Sequence, residues 1–219
     1  SSLVTIKLEK EMARYTGPAC RLCRRERIKL FLKGAKCHTP KCPIEQRPFP
    51  PGQHGRGRTR DTEYNQQLRE KQKARRIYGV LESQFSNMFK KASRAEGITG
   101  ETLLSMLETR LDNVVYRTGF FASRSQARQF VRHGHILVNG KKVTIPSYQV
   151  TVGEVIELRE KSKQAAVVEH TLTTTEGYEG PAWLEIDINK KSVKMLEVPV
   201  RDQIDIPVQE QQIVELYSK

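Results

Sequence analysis

Residues 109–159 read TRLDNVVYRTGFFASRSQARQFVRHGHILVNGKKVTIPSYQVTVGEVIELR, and this stretch decides the fold because its helix start, helix stop and hairpin turn are all written locally. Ser123 followed three residues later by Gln126 is a capping box, in which each side chain satisfies a backbone N–H left open at a helix start. Ala127, Phe130 and Val131 then recur at helical spacing, and Gly134 can adopt the left-handed conformation that ends a helix after about ten residues. Arg124, Arg128 and Arg132 lie four apart, which predicts a cationic ridge beside the apolar face. Residues 135–138 and 141–145 are β-rich runs around Asn139-Gly140, the dipeptide that tolerates the positive φ angles of a type I′ turn. Lys141 and Lys142 leave that turn directly, and a further strand follows before Arg159.

From Arg110 to Lys142 there are seven Lys or Arg, Arg117 among them, against a single acid, Asp112. A charge run is ordinarily a solvated face. Charges of one sign carried on a rigid helix and hairpin point instead to contact with phosphates. His133 and His135 beside the turn are open to the same contact and to titration near neutral pH, with packing or surface roles as the ordinary alternative.

The chain has 219 residues, enough for one or two domains, and 37% hydrophobic residues suit a modest core better than an enzyme with a deep pocket. A formal net charge of +13 directs attention to nucleic acid, anionic membrane or acidic partners. No apolar run reaches the roughly 20 residues of a membrane span and residues 1–11 lack a signal-peptide core, so a soluble, non-secreted, cytoplasmic protein without a membrane partner is expected; a stable homo-oligomer is separately not expected. The excess charge is uneven. Residues 1–80 hold 20 Lys and Arg against 7 Asp and Glu, whereas residues 81–219 hold 18 of each.

Residues 1–11 precede Met12 and carry no function in this reading; they are expected to be an extension, a remnant or an alternative start. The four cysteines follow as Cys20-x2-Cys23 and Cys37-x4-Cys42. Two close pairs around a short connector can place four sulfurs tetrahedrally about one ion. Structural zinc is favoured over an iron–sulfur cluster, two disulfides or four unrelated thiols. The connector 24–33 is expected to be a helix ended by Gly34, and Arg21, Arg24, Arg25, Arg27 and Lys29 make the region a metal-braced basic knob.

Residues 48–55, PFPPGQHG, force an extended passage and a turn. Arg56, Arg58 and Arg60 then alternate with Gly57 and Thr59, as in a loop that lies along a phosphate backbone; a disordered linker is the alternative. Asp61 can cap a helix over 62–78 closed by Gly79, with Arg69, Lys73 and Arg76 on one face and Lys71 and Arg75 beside it. A helix over 81–95 carries a Phe and Met stripe that reads as core. A third starts at Thr99 and keeps one buried face from Leu103 to Val115 as far as Gly119. Beyond Arg159 a helix and loop lead to a second hairpin, 182–188 and 193–198, anchored by Trp183, and 209–217 is expected to return as a helix to the helical domain.

Several motifs are familiar in this order: Cys20-x2-Cys23-Arg24-Arg25-Glu26, Pro51-Gly52-Gln53-His54-Gly55, Leu68-Arg69-Glu70-Lys71-Gln72-Lys73, Arg110-Leu111-Asp112-Asn113-Val114-Val115-Tyr116-Arg117 and the closing residues 213–219. Together they resemble the bacterial-type small-subunit ribosomal protein S-four family over residues 12–219, in its zinc-cysteine form. The resemblance implies a primary rRNA-binding protein that nucleates assembly at a multi-helix junction in the 5′ domain and influences translational accuracy. It implies a place beside the channel by which mRNA enters, near ribosomal proteins S-three and S-five, with Arg56, Arg58 and Arg60 matching the loop that meets mRNA. Some family members repress their own operons. Arg14 and the basic residues named above are the expected RNA contacts.

The implied fold class is α+β, with a metal-braced N-terminal knob (12–60), a small helical domain (61–104, completed by 198–219) and an inserted α/β RNA-binding module with antiparallel hairpins (105–197). Two further readings stand beside it. Arg110-Leu111-Asp112 resembles the Arg-Leu-Asp around the catalytic aspartate of pseudouridine synthases, which would make the chain an RNA-modifying enzyme. Against that, Asp112 sits among core residues where pairing with Arg or capping is the simpler role, and no segment is long enough for a catalytic domain. A zinc-containing nucleic-acid-binding regulator would need a helix placed for the major groove.

Overall fold

A computed structural model of the protein describes residues 14–57, 62–175 and 177–218. In chain order the helices are α1 (Cys20–Glu26), α2 (Pro43–Gln46), α3 (Glu63–Tyr78), α4 (Glu82–Ala92), α5 (Thr99–Glu108), α6 (Leu111–Arg117) and α7 (Arg124–Arg132). Strands β1 (Ile136–Val138), β2 (Lys141–Lys142) and β3 (Val155–Leu158) follow, then α8 (Glu160–Lys163), α9 (Ala166–Thr174), β4 (Leu184–Asp187), β5 (Ser192–Met195) and α10 (Glu210–Ser218). The chain divides into two compact units: one of Ser1–Leu32, Lys36–Gly100 and Val208–Lys219, the other of Lys33–Ala35 and Glu101–Pro207.

In the first unit the helix boundaries follow the backbone rules. The Thr62 hydroxyl accepts from the Asn65 N–H at the start of α3, and Gly79 (φ 62°) closes it in the left-handed conformation. The α4 stripe of Phe85, Met88, Phe89 and Ala92 is buried, as is Ile213 of α10. The α10 helix packs along α3. Its Tyr217 ring stacks on Phe89 at 4.4 Å between centroids, and its hydroxyl donates to Glu82 at 3.1 Å. Gln67 of α3 donates to Glu215 at 3.1 Å. The return of the C-terminal helix is thus held by aromatic stacking and by a polar bond from α3.

The connector between the cysteine pairs differs from expectation. The helix covers the first pair and stops at Arg27, whose φ of 57° is left-handed and whose N–H turns back to Cys23 and Arg24 carbonyls. Phe31 also has positive φ, at 51°. Residues 28–32 therefore leave the helix, and Leu30 is buried in place of a helical face. Apolar spacing alone misread this segment because the chain curls around Cys23.

In the second unit the expected third helix is two, α5 and α6, broken at Thr109 and Arg110. The break has a specific cause: residues 146–150 insert their own backbone there. The Leu111 N–H donates to Tyr148 O at 2.8 Å, Asp112 N–H to Pro146 O at 3.2 Å, and Val150 N–H to Thr109 O at 2.9 Å. Arg110 is extended (φ −63°, ψ 137°) and bridges to Gln149.

The sheet is fully antiparallel in the order β2-β1-β3-β5-β4. Asn139 (φ 48°) and Gly140 (φ 74°) make the expected tight turn. The second hairpin strand is shorter than expected, Lys141–Lys142 only. One core joins Leu111, Val114 and Val115 of α6, Ala127 and Val131 of α7, alternate residues of β1, β3 and β5, Val168 of α9 and Trp183. The α7 cap is half reciprocal: Ser123 accepts from the Gln126 N–H, while Gln126 Oε1 takes the Ala122 N–H at 2.9 Å, one residue earlier than a capping box requires.

Candidate nucleic-acid interface

The second unit folds much of its positive charge inward. Asp112 accepts two bonds from Arg110, Nε at 3.1 Å and Nη2 at 2.9 Å, and a third from Arg128 Nη1 at 2.7 Å. Arg110 is 1% exposed, so its expected place on an RNA surface is corrected: it is a buried counter-ion. Glu108, 0% exposed, accepts from Arg117 Nε at 2.9 Å and Nη2 at 2.7 Å and from Asn113 Nδ2 at 2.7 Å. Asn113 Oδ1 in turn takes Arg124 Nε at 2.8 Å, and the Arg124 guanidinium lies 4.4 Å from the Tyr116 ring centroid.

The expected ridge of Arg124, Arg128 and Arg132 is therefore not one surface. Arg124 and Arg128 are half-buried and engaged, and Arg132 is exposed. The reason is that two acids close beneath the helix. Glu108 lies two positions before the charge run begins at Arg110, outside that run. A buried ion pair needs extensive hydrogen bonding to offset desolvation, and these networks supply most of it, with Arg128 Nε left without a partner.

The end of α7 and the hairpin are among the parts this unit turns outward. Arg132, His133, Lys141 and Lys142 are exposed, and His135 is half-buried with Nδ1 2.9 Å from Ser162 Oγ. Burial, together with the charges of His133, Arg159 and Lys142, holds His135 below the usual histidine range. Arg159 was not singled out in the sequence; its signal is its place directly after β3, opposite His135, whose carbonyl accepts its backbone N–H at 2.9 Å.

In the first unit the knob keeps Arg21, Arg25 and Arg27 exposed, along with Arg14. Lys29 pairs with Glu45 at 2.6 Å. Lys36, Lys41 and Arg47 are exposed too and add to the same basic character beyond the residues put forward from sequence. Arg24 Nε donates to Phe49 O at 3.0 Å, and the Arg24 and Arg56 guanidinium groups lie 5.1 and 4.7 Å from the Phe49 ring centroid. This cation–π stacking orders the start of the basic loop. Arg58, Arg60 and the Asp61 cap lie outside the described residues, as do residues 1–13.

The α3 cations are each paired. Arg69 and Arg76 bond the Glu26 carboxylate, whose side chain is fully buried. Lys71 and Arg75 pair with Glu82 at 2.7 and 2.6 Å, and Lys73 with Glu70 at 2.5 Å. Burial pushes the Glu26 carboxyl above the usual range despite Arg76 and Arg69. At Glu82 burial acts the same way, but hydrogen bonds from Lys71 and Arg75 outweigh it and hold that carboxyl low. Apart from Lys73, which pairs within the helix, the expected basic face of α3 is thus a set of ion pairs with α1 and α4, invisible to a helical wheel because Glu26 and Glu82 come from other elements.

All four cysteines are free; Cys23, Cys37 and Cys42 are buried and Cys20 half-buried. Among the described residues no group of three or more His, Cys, Asp or Glu side chains stands in a metal-holding arrangement. The four are nevertheless neighbours. Burial raises the Cys23 thiol, the Leu30 backbone N–H opposes this, and Cys37, Cys20 and Cys42 all act on it electrostatically. Four soft sulfur donors, no disulfide and a backbone donor aimed at one sulfur are a donor set suited to zinc.

Residues 14–108 match the family model described as Ribosomal protein S4/S9 N-terminal domain, and residues 109–156 match the S4 domain. The chain is 60% identical over 210 residues, 95% of its length and 100% of the relative's, to Small ribosomal subunit protein uS4 of Geotalea daltonii. The chain belongs to the uS4 family. It is also 58% identical over 208 residues to the proteins of that name from Pelobacter propionicus and Acidothermus cellulolyticus, again covering 95% of this chain and 100% of each relative. For a uS4 family member, the second matched segment begins at Thr109, where residues 146–150 break the helix. Among the described residues no helix is long and apolar enough to cross a membrane.

Proposed function

We propose that this chain is a structural, non-catalytic constituent of the small ribosomal subunit that binds rRNA. The observation that carries the reading is full-length identity of about 60% to proteins named for that role. The exposed cations of the knob and of the α7–β2 edge supply the chemistry: phosphate contact by Arg and Lys, with RNA shape as the determinant. A pseudouridine synthase-like role is disfavoured by Asp112, which is 4% exposed and saturated by Arg110 and Arg128.

On the same reading the protein nucleates assembly at a multi-helix junction of the rRNA 5′ domain. It lies beside the path of incoming mRNA, with S-three and S-five as neighbours, and contributes to decoding accuracy. Cys20, Cys23, Cys37 and Cys42 would hold one structural zinc ion, which supplies a tetrahedral brace and no reaction.

The test is the salt dependence of affinity for a 5′-domain junction RNA. The log–log slope is expected at about −0.7 to −0.9 per neutralised phosphate, and reversing Lys141 and Lys142 should reduce it by about one per residue. A salt-independent affinity would overturn the reading.

A further inference from the structure

Around the Gly134 turn, four cationic or protonatable side chains from successive elements of the second unit converge on one point. Gly134 has φ of 74°, and a Cβ there would fall 2.1 Å from Lys142 Cε and 2.8 Å from its Nζ, so the lysine of β2 lies directly across the glycine. Arg159, directly after β3, donates through Nη1 to Gly134 O at 3.5 Å and through its backbone N–H to His135 O at 2.9 Å. The His133 and His135 rings are 6.2 Å apart, and Phe130 backs His135 at 5.0 Å. Ser162 Oγ engages His135 Nδ1 at 2.9 Å, leaving Nε2 as the ring nitrogen to meet a ligand.

We propose that this turn is a proton-linked phosphate site, in which protonated His135, with Lys142, Arg159 and His133, closes on a backbone phosphate of bound RNA. The proposal rests on the RNA-binding reading and adds to it the coupling of affinity to pH. The charged groups acting on His135 from the elements packed against it are His133, Arg159 and Lys142, all of one sign. Glu160, the first residue of the adjoining α8, is held by Lys163 at 2.5 Å. A half-buried imidazole among cations resists protonation; a phosphate set among them reverses the local field and favours the imidazolium, which donates from both nitrogens.

The sign follows from linkage. His135 has a depressed pKa in the free protein and a higher one in the complex, so binding takes up a proton. Affinity is greatest below the free value and declines as pH rises through the bound value, by a factor of about ten for each unit between them.

Histidine ring signals of the full chain, followed by NMR from about pH 5 to about pH 8.5, would test this with three samples: protein alone, with inorganic phosphate, and with the junction RNA. The His135 midpoint should rise with either ligand, more with RNA. In parallel, wild-type affinity for the RNA should fall about tenfold between about pH 5.5 and about pH 8. His135→Gln should be flat at the wild-type alkaline value, while His133→Gln keeps most of the slope. A midpoint unmoved by RNA that binds, or a His135→Gln variant with an undiminished slope, overturns the site. If no RNA binds but inorganic phosphate still raises the midpoint, the site stands and the rRNA reading falls. Should His135→Gln not fold, the wild-type titration decides.

Discussion

In the amino-terminal knob, Arg21, Arg25 and Arg27 stay at the surface while three of four cysteines turn inward. In the module the arrangement is in part reversed: Arg110, Arg117 and Arg128 fold onto Asp112 and Glu108, while Arg132, Lys141 and Lys142 are among the cations that stay exposed. The module can internalise arginine because its apolar core, from Leu111 to Met195, fixes the acids and bases that meet there. The knob is a short segment with few large buried side chains, Leu30 and Ile44 among them, beside the buried Cys23, Cys37 and Cys42. Basic composition therefore means two different things in one chain, a solvent-facing cationic surface in the knob and in large part an internal brace in the module.

Three measurements would break or sharpen that contrast. The largest effect is expected from metal removal. Chelation should unfold the knob, as apparent zinc-binding free energies in small four-ligand sites are on the order of 10 kcal/mol, while amide signals of the module stay in place; native mass should show one zinc per chain before treatment. A knob that keeps its amide protection after chelation would give it a core of another kind. Next is Asp112→Ala, which leaves Arg110 buried without its counter-ion and should cost about 3–5 kcal/mol in urea unfolding. A loss below about 1 kcal/mol would mean that Arg110 escapes to solvent and that the brace is not one. The smallest is a difference between two pairs of exposed cations: Arg21→Glu with Arg25→Glu should weaken binding of the junction RNA more than Lys141→Glu with Lys142→Glu. Each pair should lower the salt slope by about two, and the opposite ranking would move the main contact to the module.

Much of the module is legible in its amino-acid sequence. Asn139-Gly140 makes the turn its two positive φ values require, Gly134 ends α7, and Trp183 is the core anchor expected of it. The candidate interface was less legible. Of the three arginines at four-residue spacing, helix geometry places all on one side of α7, yet Arg128 reaches down to Asp112 and Arg124 to Asn113. Spacing gives the direction in which a side chain leaves the helix; the partner that holds its end comes from another element. The same holds for α3, where Glu26 is 50 residues from Arg76, and for the α5–α6 break, which residues 146–150 impose from downstream.

The sequence by itself determined the local features: helix caps, the hairpin turn, the apolar periodicity of α4 to α7, and the excess of charge in the first 80 residues. These depend on backbone sterics and on neighbours within about four positions, which a linear string contains. Tertiary structure decided which cations face solvent, where the long helical pattern breaks, and that Lys142 and Arg159 meet His135 at one turn. Those outcomes depend on desolvation and on partners far apart in the chain, and a charge becomes a binding group or a brace only when the fold sets its distance from the nearest acid.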